Sequence, residues 1–467
     1  MKCLIISTCF FLLSVSQLVA ADGGYNIKVK ITGVKDTFCL LANYFGDKQY
    51  IKDTARADSK GFYHFKGKEK LPGGIYLIVL PSKKYFELMV DKEQEFSMET
   101  DTVDMIKSMK IKGSSENKLF YDYLTFIIQK QKEIEPLREK YKNIKSNKDS
   151  SELVQKKISH IDTEVKEYKS KFIKDHPDLF VSKVFKSMEE PVVPDAPKLA
   201  NGKPDTLFPF KYYKAHYFDN IDFSDDRLLR TPIFNNKIKE YLDKLTLQHP
   251  DSINISLDYL CEKAKANKEI FKYLVAWSTY NYETSNIMGM DGVFVHLAQK
   301  YYMSKQAYWV DSTQLAKITL RANTLKNLLI DKKCPNITMA DSNGNIYSLY
   351  NVKAPYTILY FWDHGCSHCK KTTPLLRDYY KKVASKGVQV FAVETETDVK
   401  EWKKYVRENE LNWINVSDPT YQTGFKKTFD IYSTPVIYLL DDKKVIIAKR
   451  VDVDQLQGIL DRKLDKK

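Results

Sequence analysis

The spacing of hydrophobic positions changes twice along the chain. Tyr25, Ile27, Val29 and Ile31 alternate with polar residues, the two-residue period of a half-buried strand. Further apolar runs follow at 37–43, 62–65, 75–80, 85–90 and 95–99. Asp58-Ser59-Lys60-Gly61, Pro72-Gly73-Gly74 and Pro81-Ser82 separate them as turns. Short strands with regular punctuation predict a small, sandwich-like all-β domain over 22–113.

From about residue 114 the step becomes three and four. Leu119, Tyr123, Phe126, Ile134, Leu137, Tyr141 and Ile144 form one stripe; Val154, Ile158, Ile161, Val165, Tyr168 and Phe172 form a second. Two stripes joined by a polar break at 146–151 predict a helical hairpin. Pro191, Pro194, Pro197 and Pro204 mark an irregular stretch. Helical segments then resume at 235–245, 257–264, 268–282, 293–302 and 313–329, closing a central α-helical region over 114–330. Its aromatics, Trp277 to Trp309, are read as core, with a peptide-binding surface as the alternative.

A third composition starts at Cys334-Pro335. A hairpin (337–339 and 346–349) precedes a strand at 356–362 and a helix from Cys366 towards Ser385. A strand (388–393), a helix (399–409), a strand (413–416) and a helix (421–429) follow. Strands at 436–440 and 445–449 and a helix after Asp452 close the chain. This alternation predicts an α/β domain over 334–467, with helices on both sheet faces.

A length of 467 residues agrees with a multidomain chain. Lys2, an apolar run over 3–15 and Leu18-Val19-Ala20-Ala21-Asp22 have the pattern of a secretory signal peptide over 1–21. No later stretch is apolar for the roughly 20 residues a membrane span needs, so the expectation is a soluble exported protein. The net charge of +14 is interspersed along the chain, which reads as a solvated surface, and no nucleic-acid motif is present.

Loss of the signal removes Cys3 and Cys9 and leaves Cys39, Cys261, Cys334, Cys366 and Cys369. Five cysteines over this length are no disulfide scaffold; one close pair and three scattered thiols suggest a redox pair. The pair lies in Phe361-Trp362-Asp363-His364-Gly365-Cys366-Ser367-His368-Cys369-Lys370-Lys371, directly off an apolar strand and opening a helix. The spacing puts the first sulfur at the helix N-terminus and the second one turn in. Helix-terminal N–H groups and the dipole favour a thiolate there, by about 0.3–1 kcal/mol at exposed sites. His368 and Lys370 add positive charge. Cys366 is the expected nucleophile and Cys369 the resolving thiol.

These residues resemble the thioredoxin superfamily, and within it the exported TlpA/ResA-type thiol–disulfide oxidoreductases. Phe361-Trp362 before the pair, Pro374 eight residues after Cys366, and Ser433-Thr434-Pro435 leading into a core strand carry the resemblance. It implies a thioredoxin-like fold, Trp362 supporting the site, and a cis-proline at Pro435 with Thr434 beside the disulfide. It implies exchange through a mixed disulfide with disulfide-bearing envelope proteins, and a membrane or soluble thiol electron donor. The implied location is the periplasm or cell envelope of a Gram-negative bacterium.

Two positions depart from the family. Thioredoxin's acid six residues before the first cysteine is Tyr360 here, and the ResA-type glutamate six residues after it is Thr372. Candidate proton acceptors are Asp363, His364, Glu394 and Glu396. His368 bears on redox direction, since a cation beside the pair stabilises the reduced thiolate.

No cofactor or metal is expected. His364, Cys366, His368 and Cys369 offer ligands, but structural zinc draws its second pair from elsewhere in a chain; Lys370 stands where covalent haem needs histidine. A thioredoxin-fold peroxidase is the enzymatic alternative, although Trp362-Asp363-His364-Gly365 replaces the peroxiredoxin context. A binding or scaffold protein of the envelope is the other. Oligomeric state is left open.

Overall fold

The computed structural model describes residues 23–34, 38–144 and 148–465. The expected signal peptide lies outside them. The chain divides into two compact units between Lys239 and Glu240.

The first unit begins with eight strands: β1 (Tyr25–Thr32), β2 (Phe38–Phe45), β3 (Lys48–Arg56), β4 (Phe62–Gly67), β5 (Gly74–Val79), β6 (Tyr85–Val90), β7 (Glu95–Asp101) and β8 (Lys110–Lys112). They form two four-stranded sheets, ordered β4-β1-β7-β8 and β3-β2-β5-β6. The alternation read in β1 is real: Ile27 and Val29 are fully buried while Lys28 is exposed. β3 escapes that criterion, because all but two of its nine residues are exposed. It forms through its ladder to β2, from Phe45↔Lys48 to Phe38↔Arg56.

Five helices follow: α1 (Ser115–Ile144), α2 (Lys148–Asp175), α3 (Phe180–Ser187), α4 (Phe208–His216) and α5 (Pro232–Lys244), the last crossing the unit boundary. The hairpin of α1 and α2 buries its stripes face to face, with Phe126 and Tyr168 stacked at 4.3 Å. Buried Asn117 joins α1 to β6, accepting from Met89 N at 2.8 Å and donating to Met89 O at 2.7 Å.

The second unit continues with α6 (Pro250–Ala264), α7 (Lys268–Glu283), α8 (Asp291–Leu297) and α9 (Ser312–Lys326). The aromatics here divide: Phe294, Tyr301 and Tyr302 are core, whereas Tyr280 and Tyr308 are exposed. Then come β9 (Thr338–Ala340), β10 (Ile346–Ser348), β11 (Tyr356–Trp362), α10 (Ser367–Val383), β12 (Val388–Glu394), α11 (Val399–Glu408), β13 (Ile414–Ser417), α12 (Phe425–Thr428), β14 (Val436–Leu440), β15 (Ile446–Lys449) and α13 (Val453–Leu464).

One seven-stranded sheet, β10-β9-β13-β12-β11-β14-β15, carries this α/β part. β11 lies in its interior, parallel to β12 and antiparallel to β14. Every residue of β11 is buried, and alternate residues serve different cores. Tyr356, Ile358, Tyr360 and Trp362 pack with α10, α11 and α13. Leu359 and Phe361 pack on the other face with Phe425 and Phe429. Each large apolar side chain buried this way contributes about 1.5–3 kcal/mol.

The helix expected over 421–429 shrinks to the single turn α12. Gly424 caps it at a left-handed φ of 62°, and Tyr421 also has positive φ. Asp418 takes the N–H groups of Gln422 and Thr423, so a turn replaces the first helical bonds.

Lys449 of β15, nearly buried, pairs with Asp291 of α8 and donates to Leu328 O at 2.6 Å. That contact ties α8 to β15.

Candidate active site

β11 ends at Trp362, and three residues turn the chain into α10. Asp363 makes the turn: its Oδ1 accepts from Gly365 N at 2.6 Å and its carbonyl from Cys366 N at 3.2 Å. Cys366 follows as the helix N-cap with extended backbone (φ −72°, ψ 127°), and its carbonyl starts the helix by accepting from Lys370 N at 3.0 Å. Its side chain is half-buried, whereas Cys369, one turn in, is 1% exposed and belongs to the core beneath β11.

The two thiols are thereby made unequal. Partial burial disfavours the Cys366 thiolate. Hydrogen bonds from the Cys369 N–H, Thr434, the Cys369 thiol and the His368 N–H outweigh it and hold the pKa below the ordinary thiol value. Burial pushes the Cys369 thiol the other way, up to about 12, against smaller opposing contributions from Thr434 and the Asp363 N–H. As a thiol, Cys366 Sγ donates to Thr434 O at 3.6 Å, and the Thr434–Pro435 peptide is cis.

Tyr360, in place of the family's acid, is fully buried behind Cys369. Its hydroxyl meets Thr373 Oγ1 at 2.8 Å. Burial, and then the neighbouring Cys369, push its pKa far above 10, so it can donate or relay a hydrogen bond but holds no negative charge. Trp362 stacks on Tyr360 at 6.1 Å and lies 5.4 Å from Tyr405. The Tyr360–Thr373 couple is invisible to motif reasoning, because two hydroxyls meet where the family has a carboxylate.

The candidate acid/base residues separate. Glu394 is 1% exposed, opposite Trp362 in the parallel ladder, with His364 Nδ1 3.5 Å from its Oε2. Burial raises its carboxyl to about 8; N–H groups of Glu396, His364 and Thr395 oppose that, and Asp363 adds to it. Asp363 and His364 stand with it, partly buried. Glu396 is turned outward and paired with Lys426 at 3.3 Å. His368 is exposed. Away from this site Cys39, Cys261 and Cys334 are fully buried, and burial raises Cys261 and Cys334 to about 12.

Among the described residues no helix is long and apolar enough to cross a membrane. Residues 330–449 match the AhpC/TSA family; residues 25–120 and 141–327 match two domains of unknown function, DUF4369 and DUF5106. Over 119 residues the chain is 31% identical to the thiol–disulfide oxidoreductase ResA of Bacillus thuringiensis subsp. konkukian, covering 25% of this chain and 67% of that protein. A thioredoxin-like protein of Haemophilus influenzae is 29% identical over 133 residues, 27% of this chain and 74% of its own. A solved domain of a possible thiol–disulfide isomerase from Cytophaga hutchinsonii is 45% identical, with 30% of this chain and 97% of that domain covered and a TM-score of 0.28.

Proposed function

The chain belongs, through its C-terminal domain, to the ResA-like thiol–disulfide oxidoreductases, and from that premise we propose that it is exported and exchanges disulfides with protein substrates through Cys366 and Cys369. The observation that carries this reading is the inequality of the two thiols: one half-exposed at a helix N-terminus with a lowered pKa, one buried with a raised one.

The steps follow from that inequality. The Cys366 thiolate attacks one sulfur of a substrate disulfide, forms a mixed disulfide and releases the first substrate thiolate. Cys369 then loses its proton and attacks Cys366 Sγ, which expels the second substrate thiolate and closes the Cys366–Cys369 disulfide. Two electrons pass to the substrate, and a thiol donor returns them to the pair. The Thr434 carbonyl accepts from the Cys366 thiol at 3.6 Å, which supports a role for Thr434 beside the reacting sulfur. Tyr360, whose pKa burial and then Cys369 push far above 10, stays a neutral phenol next to the thiol that must lose a proton. The leader pattern at 1–21 supports export to a periplasm or envelope, where disulfide-bearing proteins are the substrates.

Reduction of a model protein disulfide by the dithiol-loaded chain tests the proposal. Cys366→Ser is expected to bring the rate down to that of the thiol donor alone. Undiminished reduction by that variant contradicts the assignment.

A further inference from the structure

Directly before Cys366, three side chains that the exchange steps leave unused converge. Asp363 and His364 follow β11, and Glu394 ends β12 beside it. One donor atom from each lies within 4.8 Å of the other two. His364 Nδ1 stands 3.5 Å from Glu394 Oε2 and 4.0 Å from Asp363 Oδ1. Both Nδ1 and Oε2 are sealed from solvent, yet neither makes a hydrogen bond.

A buried carboxyl oxygen without a hydrogen-bond partner is costly, and native structures explain nearly all such atoms by a partner. A direct histidine–glutamate hydrogen bond would satisfy both atoms, but this pair does not form one. Their separation instead suits two ligands of a single ion. Atoms about 2.0–2.2 Å from a tetrahedral zinc stand about 3.3–3.5 Å apart. Both carboxylates are also oriented for the role. Asp363 Oδ1 accepts from Gly365 N at 2.6 Å, and Glu394 Oε1 accepts from Glu396 N at 3.1 Å. Backbone thus holds both carboxyl groups, as supporting hydrogen bonds do for metal ligands; Glu394 keeps Oε2 for the ion, and Asp363 Oδ1, 4.0 Å from His364 Nδ1, keeps a second lone pair.

We propose that Asp363, His364 and Glu394 bind a divalent transition-metal cation of the zinc type. One imidazole nitrogen with two carboxylates suits zinc or its substitute cobalt, whereas calcium and magnesium take oxygen ligands only and more of them. Water completes the coordination, because the set has three protein donors. Glu394, thirty residues beyond His364 in the chain, is the distant ligand that a reading of the cysteine motif alone lacks.

The test is zinc binding by the full-length chain carrying Cys366→Ser and Cys369→Ser, which removes thiolates as competing ligands. Isothermal titration of the metal-stripped protein is expected to show one zinc ion per chain at micromolar affinity or tighter. Cobalt is expected to give the absorption bands of a bound ion. In the same background, Glu394→Gln and Asp363→Asn should each weaken zinc at least tenfold; the latter alters only a partly exposed side chain and guards against misfolding at Glu394. No binding at micromolar zinc, or an affinity that neither substitution changes, overturns the site.

Discussion

Cys366 and Cys369 are one residue type three positions apart, and their surroundings separate their chemistry. The N–H groups of the first helical turn and Thr434 favour the Cys366 thiolate against partial burial, while burial holds Cys369 protonated to about pH 12. Since the thiolate is the reactive form, iodoacetamide should label reduced Cys366 selectively at neutral pH. Its labelling rate should rise with pH through a midpoint below that of an ordinary cysteine thiol. Mass spectrometry of the alkylated peptides reads both; equal labelling of the two contradicts this account. Behind Cys369, Tyr360→Phe leaves the Thr373 hydroxyl without its 2.8 Å partner, at an expected cost of about 1–3 kcal/mol. Tyr360→Phe with Thr373→Val should cost less than the sum of the single changes, measured by urea unfolding of the reduced chain. The cysteine spacing was legible in the sequence because it is local, and Trp362 and Thr434-Pro435 because they resemble a family's motifs. The Tyr360–Thr373 and His364–Glu394 pairings were not, because they join a strand to a helix and one strand end to another.

The same distinction holds among the elements. β11 announces itself as seven consecutive apolar or small residues, and the structure buries all seven. α10 begins where the cysteine pair places it. β3 stayed hidden because backbone pairing to β2, rather than an apolar face, makes it a strand. α12 came out shorter than its stripe because Gly424 and the Asp418 side chain commit the preceding residues to a turn. Lys449 shows what periodicity cannot carry: a cation at a strand end, buried against Asp291 and Leu328 O. Burial lowers its pKa and Asp291 opposes that shift. Lys449→Met should destabilise the C-terminal unit by about 3 kcal/mol, the lower end for breaking a buried pair, because Asp291 keeps some exposure. Hydrogen exchange should then show α8 and β15 losing protection together; loss at β15 alone contradicts a tie between them.

Across the whole molecule, the three compositions read from hydrophobic spacing correspond to strand-rich, helical and α/β stretches of the chain. The compact units divide elsewhere, within α5, so the helical stretch contributes to both. Spacing reports which face of a helix is buried and says nothing of which neighbour covers it. The family likeness to ResA reaches only the C-terminal stretch, while the strands and helices before it match domains without assigned function. A division of labour between the C-terminal cysteines is therefore proposed for the full chain: Cys366 attacks and Cys369 resolves. Its most direct test is to express the full-length protein with Cys369→Ser and examine envelope extracts on non-reducing gels. The expected result is a set of covalent adducts, abolished by reductant and absent from the Cys366→Ser/Cys369→Ser double variant. No adducts with Cys369→Ser, or equal adducts in the double variant, would contradict it.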